Sequence, residues 1–145
     1  MFNNIRKQAK VDAETTVPYT FDMLEGFPTL HVVAATKENK PYINALLERT
    51  KTPKRRQRKR RDFDTDEALK MLEKQGEIDI DLYPQFVIKG WENVVDDKGA
   101  EVPFSVEAAK EFCNAIQGPL FEELQIFCTD YHNFTDLETE NTAKN

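Results

Sequence analysis

FVIKGWENVVDDKGAEVPFSVEAAKEF, residues Phe86 to Phe112, holds the only tryptophan of the chain, a turn and a readable helix start. Working back from it, Tyr83, Phe86, Val87, Gly90, Trp91 and Val94 recur at helical spacing, so the period predicts a helix from Tyr83 to Val94. Pro84 falls in its first turn, where a missing N–H is tolerated. Gly90 inside a helix costs about 1 kcal/mol relative to alanine. Its place beside Trp91 therefore points to a neighbouring element packed closely there. Asp97-Lys98-Gly99 supplies a turn, and Val102-Pro103-Phe104 re-enters as an extended piece. Ser105 is positioned to cap the next helix, with Glu107 in its first turn.

Beyond this stretch, Val106, Ala109, Phe112, Cys113 and Ile116 form the inner face of that helix. Gly118-Pro119 breaks the chain. Leu120, Phe121, Leu124, Phe127, Cys128 and Tyr131 give a further helix its apolar stripe. Upstream, Thr65 caps a helix carrying Asp66 and Glu67 in its first turn, where acids complement the helix dipole. Leu69 and Leu72 are its apolar side, and Gly76 is expected to end it. Ile78-Asp79-Ile80-Asp81 alternates, which predicts a short extended piece before the next helix. Trp91, Phe104, Phe86, Phe112 and Phe127 are expected to form the structural core of this module, because large aromatics bury the most surface per residue.

The first half reads differently. Residues 17–35 alternate at period two on either side of Glu25-Gly26-Phe27, which predicts a β-hairpin. A two-stranded sheet is marginal alone and needs a cover over its apolar face. Residues 36–49 predict a short helix that starts either after Asn39 as its N-cap or at Pro41, with Tyr42, Ala45, Leu46 and Arg49 on one face. The fold class is therefore α+β: an N-terminal β-hairpin with a short helix, a basic loop, then a compact bundle of three to four helices. Its divisions are a flexible arm at 1–16, the hairpin and helix at 17–50, the basic loop or arm at 51–61, an acidic helical module at 62–131 and a loose tail at 132–145. Phe134 and Leu137 are candidates to dock from that tail.

Charge divides the chain sharply. Residues 1–61 hold 14 basic and 6 acidic side chains, a net of +8, and residues 62–145 hold 6 and 20, a net of −14, giving the total of −6. Within 51–61 (KTPKRRQRKRR), eight of eleven residues are Lys or Arg. Such a run forms no core and repels itself. Lys51, Lys54, Arg55, Arg56, Arg58, Lys59, Arg60 and Arg61 are the candidate partner-binding residues. Their charge suits an acidic protein surface, the acidic half of the same chain, or nucleic acid phosphates with strong salt dependence. A solvated insertion is the remaining reading. No aromatics interleave the run to stack bases.

Catalytic chemistry is not expected. The sequence has no glycine-rich phosphate loop, no G-x-S-x-G and no H-E-x-x-H. His31 and His132 stand far apart, with no nucleophile tied to either by a motif. Cys113 and Cys128 are fifteen residues apart in apolar helical patterns, which fits buried free thiols, a structural disulfide being the other reading. Asp62, Asp64 and Asp66 start like a calcium loop but lack its glycine and place Glu73 inside a helix. The expectation is no cofactor, no metal and no small-molecule substrate. No apolar run is long enough to cross a bilayer and no signal-peptide core opens the chain, so synthesis inside the cell is expected.

The unit Ile88, Gly90, Trp91, Pro103, Phe104 and the helix from Ser105 resembles the tail assembly chaperones and related small structural proteins of tailed bacteriophages. The resemblance spans roughly Asp62 to Tyr131. It implies a small, mostly helical, non-enzymatic protein that acts by protein–protein contacts in tail assembly, similar to chaperones that coat the tape-measure protein while the tube polymerises. Its partners would be other phage proteins and itself as an oligomer, in the host cytoplasm during assembly. The hairpin and the basic run exceed the simple pattern. They keep open a virion component at a head, connector or tail joint, or an accessory protein that binds nucleic acid through 51–61.

Overall fold

The structure is a computed structural model and describes residues 10–50 and 65–135. Three strands form one antiparallel sheet in the order β1-β2-β3: β1 is Val17–Thr20, β2 is Thr29–Val32 and β3 is Ile88–Glu92. Four helices accompany it: α1 Lys40–Thr50, α2 Thr65–Phe86, α3 Val106–Ala115 and α4 Pro119–Thr129, followed by a 3-10 turn at Tyr131–Phe134. The fold is α+β, with an N-terminal hairpin, a short helix and then a helical body.

The hairpin pairs Val17 with Val32 and Thr20 with Thr29. Pro18 is accommodated because β1 is an edge strand, where a missing N–H breaks no ladder. The connection is longer than the alternation suggested. β1 ends at Thr20, and Phe21 already donates its N–H to the Pro28 carbonyl at 2.9 Å. Gly26 and Phe27 then take the left-handed conformation, with φ of 80° and 52°.

The third strand is a correction. Residues 88–92 are not helical; they pair with the far edge of β2, Leu30 against Trp91 and His31 against Gly90, with an irregularity between His31 and Val32. Two forces outweigh the helical spacing. β2 is buried at Leu30 and Val32 and needs a partner for its second edge. Val87 and Ile88 are β-branched and suit a pleated surface. Gly90 therefore sits in a strand, and a Cβ there would meet only the His31 ring at 3.9 Å. Among the described residues, none packs closely against this glycine.

The helix before β3 is also longer than expected. α2 runs unbroken for 22 residues through Gly76 and Pro84. Gly76 does not stop it, and Ile78–Asp81 is helical rather than extended. Burial of Ile78, Leu82 and Tyr83 along one face outweighs the roughly 1 kcal/mol that a helical glycine costs. Pro84 lies close to the end, so the bond that it cannot make is one of the last, and the helix stops two residues later.

Local signals set the other boundaries as expected. Asn39 caps α1 by accepting from Tyr42 N at 3.2 Å. Ser105 caps α3 by accepting from Ala108 N at 3.0 Å. Gly118, at φ 117°, precedes the Pro119 that opens α4. The core lies where the sheet meets the helices, with Leu30, Val32, Tyr83, Val87, Ile88, Cys113, Leu124 and Cys128 fully buried. Burying each such large apolar side chain stabilises by about 1.5–3 kcal/mol. α2 is the hub: it packs on α1 and α3 and leads into β3. Asp81 on α2 pairs with Arg49 of α1, and with Lys110 of α3 at 2.8 Å. These surface pairs contribute about 1 kcal/mol or less each. The ends of the described chain meet as well. Val11 bridges Thr135, and Asp12 N donates to the Phe134 carbonyl at 2.9 Å. The arm at 1–16 is thus anchored from Val11 onward, and Phe134 docks, only 2% exposed. Residues 1–9, the basic run 51–61 and Leu137 lie outside the described residues.

Candidate functional site

Two features concentrate chemistry and exposed surface. The first is the unit built on β3. Trp91 donates its Nε1–H to the Val102 carbonyl at 2.8 Å, and Phe104 stands edge-on to it at 5.2 Å. Between them a hairpin-like turn is held by Asp96, whose Oδ1 accepts from Lys98 N and Ala100 N at 2.9 and 3.0 Å. Gly99 supplies the positive φ of 86° that this turn requires. From Trp91 ring contacts continue through Phe112, Phe21, Tyr19 and Phe127 to Phe134, at centroid separations of 4.9–5.8 Å. Trp91, Phe104, Phe86, Phe112 and Phe127 are each half-buried and packed against the core. They form its shoulder, while aliphatic side chains and Tyr83 fill its centre.

The second feature is a groove between α2 and α4, with a volume of about 740 Å³. Leu72, Ile80, Phe121 and Ile126 give it apolar surface, and Glu73, Glu77 and Glu122 give it acidic edges. At its base Asp79 is buried, only 3% exposed. Its carboxylate accepts from the Tyr42 hydroxyl at 2.7 Å, from Gln125 Nε2 at 2.8 Å and from Gln75 Nε2 at 3.2 Å. Three donors satisfy a group that is otherwise costly to bury. Burial, and then the negative Asp79, push the Tyr42 hydroxyl well above its ordinary pKa. Beside it the Tyr83 hydroxyl is fully buried with no hydrogen-bond partner among the described residues, an arrangement that costs about 1–3 kcal/mol. Burial raises its pKa strongly.

Sequence reasoning missed this network. The alternation Ile78-Asp79-Ile80-Asp81 concealed it by suggesting a strand. A helical reading would have placed Gln75, Asp79 and Tyr83 four apart on one face. The eight basic residues of 51–61 lie outside the described residues. Asp66 is exposed in the first turn of α2, and Asp62 and Asp64 are likewise outside the described residues. His31 bonds Glu92 at 2.9 Å across the sheet, and His132 bonds Asp130 at 3.2 Å. Cys113 and Cys128 are free thiols, both fully buried. Burial pushes Cys113 up to about 12 and Cys128 further still. Among the described residues no group of three or more His, Cys, Asp or Glu could hold a metal ion. None of the described helices is long and apolar enough to cross a membrane.

A family model described as YdaY prophage protein matches residues 37–145, which takes in both features apart from β1 and β2. The chain belongs to the YdaY prophage protein family. The family match begins just before α1 and covers the basic run, α2, β3 and everything after. Membership of the YdaY family associates the chain with phage. No curated protein and no solved structure matches the chain.

Proposed function

We propose that this protein is a non-enzymatic phage assembly factor that works by protein–protein contacts in tail assembly, in the host cytoplasm while particles are built. The observation that carries the reading is the packed unit from Ile88 to the α3 start. The residues that resemble tail assembly chaperones (Ile88, Gly90, Trp91, Pro103, Phe104 and the Ser105 cap) fall on β3 and on the segment leading into α3, and the Trp91–Phe104 contact and the Trp91–Val102 bond bring those two pieces together across the turn. This unit lies within the stretch matched by the prophage family. The exposed apolar side chains of α2 and α4 support a role in binding protein. The thiols, held protonated at neutral pH by burial, are poor nucleophiles, which supports a non-catalytic role.

The deciding experiment deletes the gene from its phage and examines the particles. The expected outcome is loss of complete tails, with the protein absent from purified wild-type virions by quantitative mass spectrometry. Recovery from virions at a fixed, symmetric copy number would make it a virion component instead. Normal tails from the deletion would end the assembly reading.

A further inference from the structure

We propose that the groove between α2 and α4 docks a helix of another protein, one whose apolar face is flanked by Lys or Arg. The first half of α2 stands clear of the body. Every residue from Thr65 to Lys74 is exposed, a length of about 15 Å at 1.5 Å per residue. Leu69 and Leu72 lie three apart on it, and Gly76 and Ile80 continue the same stripe at steps of four down into the groove. Across the groove Ile126 of α4 is 68% exposed, as is Leu72. Two helices thus present facing apolar side chains that no described residue covers.

Charge selects the occupant. The edges carry Glu73, Glu77 and Glu122, Asp79 lies beneath, and no Lys or Arg is among the described lining residues. A second copy of the groove would set acid against acid. Nucleic acid and anionic lipid would be repelled for the same reason. A partner helix with apolar anchors at i, i+3, i+4 and i+7 and basic residues beside them satisfies both surfaces. The inference deepens the assembly reading and rests on it for its biological setting; binding itself can be measured apart from that setting.

The probe is a synthetic amphipathic helical peptide with a leucine stripe flanked by lysines. Its control keeps the stripe and replaces each lysine with glutamate. Anisotropy titrations against the whole protein should show the lysine peptide binding at least about tenfold more tightly. Leu72→Ser with Ile126→Ser should weaken that binding about tenfold. Glu73→Lys, Glu77→Lys and Glu122→Lys together should invert the preference. All five side chains are exposed, and circular dichroism melts establish that each variant is folded. Reversing Asp97, Glu101 and Glu111, which are exposed and lie outside the groove, should leave binding unchanged. Equal binding of both peptides, indifference to the groove substitutions, or an equal effect of the control reversals overturns the proposal. The phage separates the two readings. Normal tails from the gene deletion remove the assembly role and leave the peptide result to decide the groove. Tails lost on deletion but intact with Leu72→Ser and Ile126→Ser remove the groove.

Discussion

At the scale of single residues, Asp79 ties three helices of the body together. It is buried and accepts from three donors on three helices: Tyr42 on α1, Gln75 on α2 and Gln125 on α4. Asp79→Ala strands all three donors, and hydrogen bonds to a charged group are each worth about 1.5–3 kcal/mol. Urea unfolding should show a loss of about 3 kcal/mol, and Asp79→Asn, which keeps one acceptor, a smaller one. A cost below about 1 kcal/mol would mean that water takes over the donors. Glycines give a contrasting pair. Gly90→Ala meets only a side-chain ring at ordinary contact distance in a β-strand, so stability should hold or rise by about 0.5 kcal/mol. Gly118→Ala must hold φ near 117°, which an L side chain rarely adopts, and should cost about 1 kcal/mol or more despite open space around it. Thermal melts of the two variants check the ordering.

At the scale of elements, what the sequence disclosed depended on whether the deciding interaction was local. The Asn39 and Ser105 caps, the Gly118-Pro119 break and the hairpin could be read directly, because each is settled within a few residues. The stretch from Gly76 to Val94 could not. Its apolar positions 83, 86, 87, 90, 91 and 94 fit a helix, yet the chain leaves α2 at Phe86 and enters β3 at Ile88. The free edge of β2, more than fifty residues earlier, settles that choice, and no window on 83–94 contains it. The same distance hid the groove. Its acids were visible only as a surplus of charge, since Glu73 and Glu122 come together only once α2 and α4 pack. Trp91 and Phe104 read from the sequence as core aromatics of a helical module, whereas they join a strand to the loop before α3. The family-like unit is accordingly a β-strand, a turn and a helix start.

At the scale of the whole molecule, burial of ionisable groups sets a limit on the alkaline side. Cys113 and Cys128 have an ordinary value of 9.0, and Tyr42 and Tyr83 one of 10.0; burial raises all four in the native state. Below pH 9 these groups are protonated in both states and their contribution to stability is fully present. Above it the unfolded chain releases protons that the native chain retains, so stability falls as pH rises toward 12. Urea titrations at pH 8, 9.5 and 11 should show a steady midpoint at first and then a progressive drop. Native thiols should react with a disulfide reagent at pH 8 only as fast as the protein opens, and quickly in denaturant. Rapid native labelling would contradict the buried placement.

The middle position of β2 also has a consequence for synthesis. Its first neighbour, β1, emerges from the ribosome before it, but its second neighbour, β3, follows only after fifty-five intervening residues. Until β3 arrives, a strand bearing Leu30 and Val32 presents an open row of backbone donors and acceptors. Such a row is a template for pairing with other chains. Pauses in translation between α1 and β3 should therefore raise the yield of insoluble protein, and pauses after Glu92 should not.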